Sequence, residues 1–267
     1  MNSTKQTTNT PLRLAWPKFV GATLCVLLYL AASFFTRAYF MGDTMDYAQS
    51  IVMRTAGRDY FFWEFGHLLW RPLGFVLFRV FAPLTRQLVG PDAQTGATLV
   101  LIGLSWIGGL VSVLSLFGVL NRFCRSKWAI AVTMAGFISA QAFLNYLHTG
   151  APYIPGLALL LLAMYLLIVL GNKDKPSWLL AVFAGASLAG SGLLWLPYVL
   201  AIPAALLAPL MLVGFSKQRL KLSILAAMVG AIIGGAVYFA VMTHSGVHNV
   251  QELRAWMQKT SRSTGSS

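Results

Sequence analysis

Between Gly42 and Arg71 the chain reads GDTMDYAQSIVMRTAGRDYFFWEFGHLLWR, with Asp43, Asp46, Asp59 and Glu64 set among Arg54, Arg58, His67 and Arg71. The protein has only 7 Asp and Glu in 267 residues, so four in one stretch is a concentration. Asp43 and Asp46 are three apart, the spacing that puts two carboxylates on one helix face. Such a pair can approach one ligand from the membrane surface, or offer oxygen ligands to a divalent cation. It can equally serve the helix, Asp43 as N-cap and Asp46 in the first turn, by accepting from orphan amides and opposing the dipole. Arg71 carries a guanidinium that binds phosphate through two bonds and stays charged, and a lipid headgroup would satisfy it as well. His67 is the second basic candidate, although a lone histidine is more often structural.

These groups have to be positioned by a chain that is otherwise lipid-like. It is 57% hydrophobic and 10% charged, with a mean hydropathy of +0.70. Several apolar runs reach the roughly 20 residues that cross a bilayer, so the fold class expected is an all-α polytopic membrane protein. The formal net charge of +13 does not point to nucleic acid, because the basic residues punctuate hydrophobic runs instead of collecting on a polar domain. Cys25 lies in an apolar run and Cys124 in a basic loop, so no disulfide is expected between them, and neither has a redox or metal-ligand spacing.

Residues 1–18 read as a disordered cytoplasmic lead and 19–40 as an uncleaved first span. Residues 41–94 form the first extracytoplasmic loop, within a transmembrane domain over 19–242. His67 to Val89 is long enough to span but holds three arginines and two prolines, and a central arginine costs about 3 kcal/mol or more on insertion scales. On a helical wheel His67, Arg71, Arg79, Thr85 and Arg86 fall within roughly 120°, the single polar stripe of a helix lying in the interface. If it does not cross, the basic loops NRFCRSK, NKDKPS and SKQRLK all face the cytoplasm, as positive-inside requires. The count is then about seven spans: 19–40, 95–120, 128–147, 152–170, 178–196, 197–215 and 223–242.

That topology puts His148 and Tyr153 outside, where they turn the chain or form the far wall of a cavity; Trp195 to Tyr198 has the same two readings. Residues 243–267 form an extracytoplasmic tail, with a short amphipathic helix over 251–259 bearing Leu253, Trp256 and Met257 on one side. The abrupt ending suggests a fragment or a shortened relative of something longer.

The order of a first span, GDTMDYA, Gly57, a helix opened by Arg71-Pro72-Leu73, and spans separated by basic loops resembles the N-terminal half of the GT-C glycosyltransferases. These polyprenyl-phosphate-sugar-dependent enzymes include protein mannosyltransferases and the lipid A aminoarabinose transferase. The resemblance covers about residues 19–170. It implies that Asp43 is a general base and that Asp46 orients it or binds a cation with it, Mg or Mn. It implies that Arg71 contacts lipid-linked phosphate. The family motif has two prolines where this chain has one, which lets His67 share or take that basic role. The activity implied is transfer of a sugar from a polyprenyl-phosphate donor to a lipid, glycan or protein acceptor at the outer face of a bacterial inner membrane. The N-terminus would then be cytoplasmic, with membrane lipids as further partners. The competing class is a non-catalytic protein that binds or transports polyprenyl phosphate.

Overall fold

Long runs of Leu, Val, Ile and Ala leave the backbone one economical way to satisfy its own polar groups, which is hydrogen bonding within the segment. Every element among the described residues is accordingly a helix or a 3-10 turn. The computed structural model describes residues 16–37, 43–57, 62–171 and 177–262. The polar lead, the end of the first span, Arg58, Asp59, the loop with Lys173 and Lys175, and the final Ser/Thr/Gly run lie outside these residues.

Three helices are long and apolar enough to cross a membrane: α4 (Ala93–Phe123), α7 (Tyr153–Gly171) and α10 (Lys217–His244). A fourth crossing is available if α5 (Lys127–Ser139) and α6 (Gln141–His148), bent by 47° at their junction, act as one span. Three shorter apolar helical segments stand where further spans are expected. They are α1 (Trp16–Phe35), α8 (Trp178–Leu194), and a 3-10 segment, Leu196–Ala201, running into α9 (Ile202–Leu212).

The helices run alternately, which gives the bundle two distinguishable ends. At one, the start of α10 meets the ends of α7 and α9, because Arg219 bonds the carbonyls of Gly171 and Gly214. At the other, the end of α8 meets the charged loop through Leu69 N–H donating to Leu193 O at 3.1 Å. The end of α10 meets it there too, through the Tyr238 hydroxyl donating to Phe65 O at 3.0 Å.

At this second end α2 (Thr44–Thr55) and α3 (Trp70–Val89) fold over the start of α4. Gly74 makes that approach possible, since a Cβ there would lie 2.6 Å from Ile51 Cδ1 and 2.8 Å from Leu101 Cδ2. The expected polar stripe on α3 is split. Arg71 and Thr85 are buried with Trp70, Gly74 and Phe78, whereas Arg79 and Arg86 are exposed. Arg79 sits about 80° round the helix from Arg71, and α2 and α4 cover only the Arg71 side. The face turned away from the bundle is apolar, with Leu73, Val76, Val80, Phe81, Leu84 and Leu88 exposed.

Candidate functional site

The site starts with α2, whose residues Thr44, Tyr47, Ala48 and Ile51 recur at helical spacing and are all buried. The Thr44 hydroxyl donates to Thr149 O, tying the start of α2 to the turn between α6 and α7. That turn needs Gly150, whose φ of +61° side chains rarely adopt and whose Cβ would lie 3.0 Å or less from Leu101 and Ile102 atoms. Asp43 occupies the N-cap position, yet its side chain makes no capping hydrogen bond; only its backbone carbonyl enters the helix, accepting from Tyr47 N–H at 3.0 Å. Asp46 is exposed on the first turn and bears on Asp43 through its charge.

The second segment, Trp63-Glu64-Phe65-Gly66-His67, turns from extended backbone at Glu64 into a 3-10 turn over Phe65–His67. Leu68 and Trp70 are both 0% exposed and anchor the entry into α3. Three ionisable groups then converge at 6% exposure for Glu64 and 4% for Arg71. His67 Nδ1 is 3.3 Å from Glu64 Oε1, and Arg71 Nη1 is 3.2 Å from Glu64 Oε2. The second contact is one of charge more than alignment, since Oε2 has no well-directed hydrogen bond among the described residues.

Tyr47 completes the group from below. The Arg71 guanidinium lies 5.1 Å from its ring centroid, and its hydroxyl is 3.4 Å from His67 Nδ1. Beyond His67 runs a row of edge-on rings: Tyr153 at 6.2 Å, then Trp195 at 5.0 Å from Tyr153, and Tyr198 at 4.7 Å from Trp195.

The environment pulls the two inner carboxyls apart. Burial raises the Asp43 carboxyl above its ordinary range, helped by the charges of Glu64 and Asp46 and only partly opposed by His67 and Arg71. Burial pushes Glu64 up too, but there the His67 hydrogen bond and the charges of Arg71 and His67 win, so it sits below its ordinary value. Burial, with Glu64 and Asp43 nearby, keeps the Tyr47 phenol protonated far above neutrality. Two carboxyls with opposite shifts can take different roles, one holding charge while the other is available to exchange a proton.

Of the six residues singled out in the sequence, Asp43, His67, Arg71 and Tyr153 border this group. Asp46 stands on its rim. His148 stands apart, with Nε2 3.1 Å from Thr36 Oγ1 and its ring 5.6 Å from Trp106, on the α1 and α4 side. Glu64 and Tyr47 were not singled out, although Glu64 is the carboxylate that joins the two basic groups. Its spacing, three before His67 and seven before Arg71, was the available signal.

Among the described residues no group of three or more His, Cys, Asp or Glu could hold a metal ion. Asp43 and Asp46 would offer Mg or Mn two carboxylates, and Mg is usually held by one or two carboxylates together with waters and substrate phosphates; Glu64 is committed to Arg71 and His67.

Comparison with protein-family models, with curated proteins and with solved structures found no match for this chain.

Proposed function

We propose that this protein is a membrane glycosyltransferase of the GT-C kind. It would move a sugar from a polyprenyl-phosphate donor to a lipid, glycan or protein acceptor at the outer face of a bacterial inner membrane. The observation that carries the reading is Asp43: a half-buried carboxylate at a helix start that does not cap its helix and whose proton affinity is raised. A base tuned towards the working pH is more effective than an ordinary aspartate. In this reading the three long spans, the bent pair and the three shorter apolar segments make about seven crossings. The end bearing Arg122, Arg125, Lys127, Lys217, Arg219 and Lys221 is then cytoplasmic, and α3 lies in the outer interface with Arg79 and Arg86 at headgroup level.

The residues at the site divide the reaction between them. An acceptor hydroxyl attacks the anomeric carbon and loses its proton to Asp43. The bond from that carbon to the phosphate oxygen breaks on the opposite face, and the phosphate leaves with the electron pair. Arg71 supplies the positive charge for the departing phosphate, with His67, 13% of its side chain exposed, in front of it. Glu64 keeps both oriented, and the donor's hydrocarbon stays in the bilayer throughout.

Asp43→Asn separates the readings, because Asn caps as well as Asp but cannot accept the proton. Sugar transfer from a polyprenyl-phosphate donor should fall by about 10² to 10⁴, with the melting temperature in the same detergent unchanged or raised. Transfer at the parental rate would remove the enzymatic reading and leave a non-catalytic polyprenyl-phosphate-binding protein.

A further inference from the structure

The carboxylate that joins His67 to Arg71 stands on five residues with only one short turn of regular structure. What fixes it comes from the far end of the chain. The Trp256 indole N–H donates to Trp63 O at 3.2 Å across 193 positions of sequence. The Tyr238 hydroxyl donates to Phe65 O at 3.0 Å. The carbonyls on either side of Glu64 are therefore both held, and Glu64 O itself accepts from His67 N–H at 3.2 Å. The Phe65 ring is clasped between the same two donors, 5.4 Å from Trp256 edge-on and 5.7 Å from Tyr238.

Trp256 reaches this place because α11 (Val250–Arg262) has a start written into the sequence. Glu252 N–H donates to Asn249 Oδ1 at 2.9 Å, and Glu252 Oε2 accepts from His248 N–H at 2.6 Å and Asn249 N–H at 3.2 Å. This reciprocal box ends the preceding loop and starts the helix at a fixed register, which turns Leu253 and Trp256 inward.

We propose that Trp256, together with Tyr238, is a positioning residue that sets the Glu64 carboxylate against Arg71 and His67, so that the last helix is part of the site. The geometric claim concerns the 63–67 segment; its consequence for a donor phosphate rests on the proposed sugar-transfer function. Holding the 63–64 and 65–66 peptide planes, with the 64–65 plane tied by His67 N–H, removes the rotations by which a short segment would swing its side chain out to water, where a carboxylate is better solvated.

The test uses the full chain with Cys25 and Cys124 replaced and Gly66→Cys as a reporter, a site where an added Cβ meets nothing within 4 Å. Trp256→Ala should raise the maleimide labelling rate at position 66 by about tenfold, because it removes both the hydrogen bond to Trp63 O and the ring packed edge-on against Phe65. Trp256→Phe keeps the ring and loses only the N–H, so it should raise the rate by about twofold. A Ser126→Cys control at the other end of the bundle should label as before. On the chain without the reporter, Trp256→Ala and Glu64→Gln should each move acid unfolding to higher pH, and the two changes together should do little more than either alone. Unchanged labelling at position 66, or fully additive effects of Trp256→Ala and Glu64→Gln, would overturn the proposal. Undecaprenyl phosphate binding by the parent protein is measured alongside: its absence counts against the proposed function, while the labelling and the acid midpoint still decide the positioning claim.

Discussion

Two arginines withdrawn from water, one at each end of the bundle, meet that situation in different ways. Arg219, half-buried, donates from Nε to Gly171 O at 2.8 Å and from Nη1 to Gly214 O at 2.5 Å and Val213 O at 3.3 Å. Its partners are neutral carbonyls where α7 and α9 end, the negative poles of two helix dipoles. Arg71 instead faces the Glu64 carboxylate and the Tyr47 ring, beside His67 and Asp43. The first arrangement ties helices together and holds no group that exchanges a proton near neutral pH. The second gathers several titratable groups around one charge, which is what a site needs. Residue type does not separate a clamp from a binding group; the partners do.

Substitution at each arginine tests that contrast. Arg71→Ala leaves Glu64 a buried carboxylate with His67 as its remaining partner, and should lower stability by up to about 3–5 kcal/mol in thermal melts in detergent. Adding Glu64→Gln should restore most of the loss, because the stranded charge is gone; no restoration would mean the pair is incidental. Arg219→Ala frees helix-end carbonyls that water can reach, so about 1–3 kcal/mol is expected. Arg219→Lys should recover only part of it, since one ammonium cannot span three carbonyls. An Arg219→Ala loss as large as that of Arg71→Ala would erase the distinction.

The pH dependence gives a smaller effect of predictable sign. Glu64 sits below its ordinary value of 4.5, so its contribution is present above that pH and is lost as pH falls through the lowered value. Asp43 sits above its ordinary 3.8, so its contribution is present below that value and fades as pH rises through the raised one. Melting temperatures followed from about pH 7 to pH 3 should fall in the parent and in Arg219→Ala alike. Glu64→Gln should flatten the curve. Asp43→Asn should melt slightly higher than the parent near neutral pH.

The last expectation involves no stability change and asks which end of the bundle faces out. With Cys25 and Cys124 replaced, a cysteine at Ser245 should react with a membrane-impermeant thiol reagent in intact cells, and cysteines at Ser126 and Ser177 should not. Reaction at Ser126 with protection at Ser245 would put the Arg219 end outside and require the site to be redrawn.

Much of the scaffold was legible in the sequence for a simple reason. In a bilayer a long apolar run satisfies its backbone by becoming helical, and among the described residues the apolar runs are helices, three of them, or four with the bent pair, long enough to cross. The charge cluster was legible too, because charge is scarce in this chain and stands out wherever it gathers. What stayed hidden were the consequences of packing. The stripe on α3 divided because α2 and α4 cover one side of it, a fact set by Ile51, Gly74 and Leu101 meeting across three helices. Asp43 and Asp46 share a spacing but not a surrounding, since one sits before the helix begins and the other on its outer turn. Glu64 was legible as one acid of the cluster and Trp256 as part of an apolar helix side, but their meeting with Tyr47, His67 and Arg71 was not. Local sequence decides which segments are helices because those bonds close over four residues. The site depends on contacts between segments up to 193 positions apart, and only the folded chain decides those.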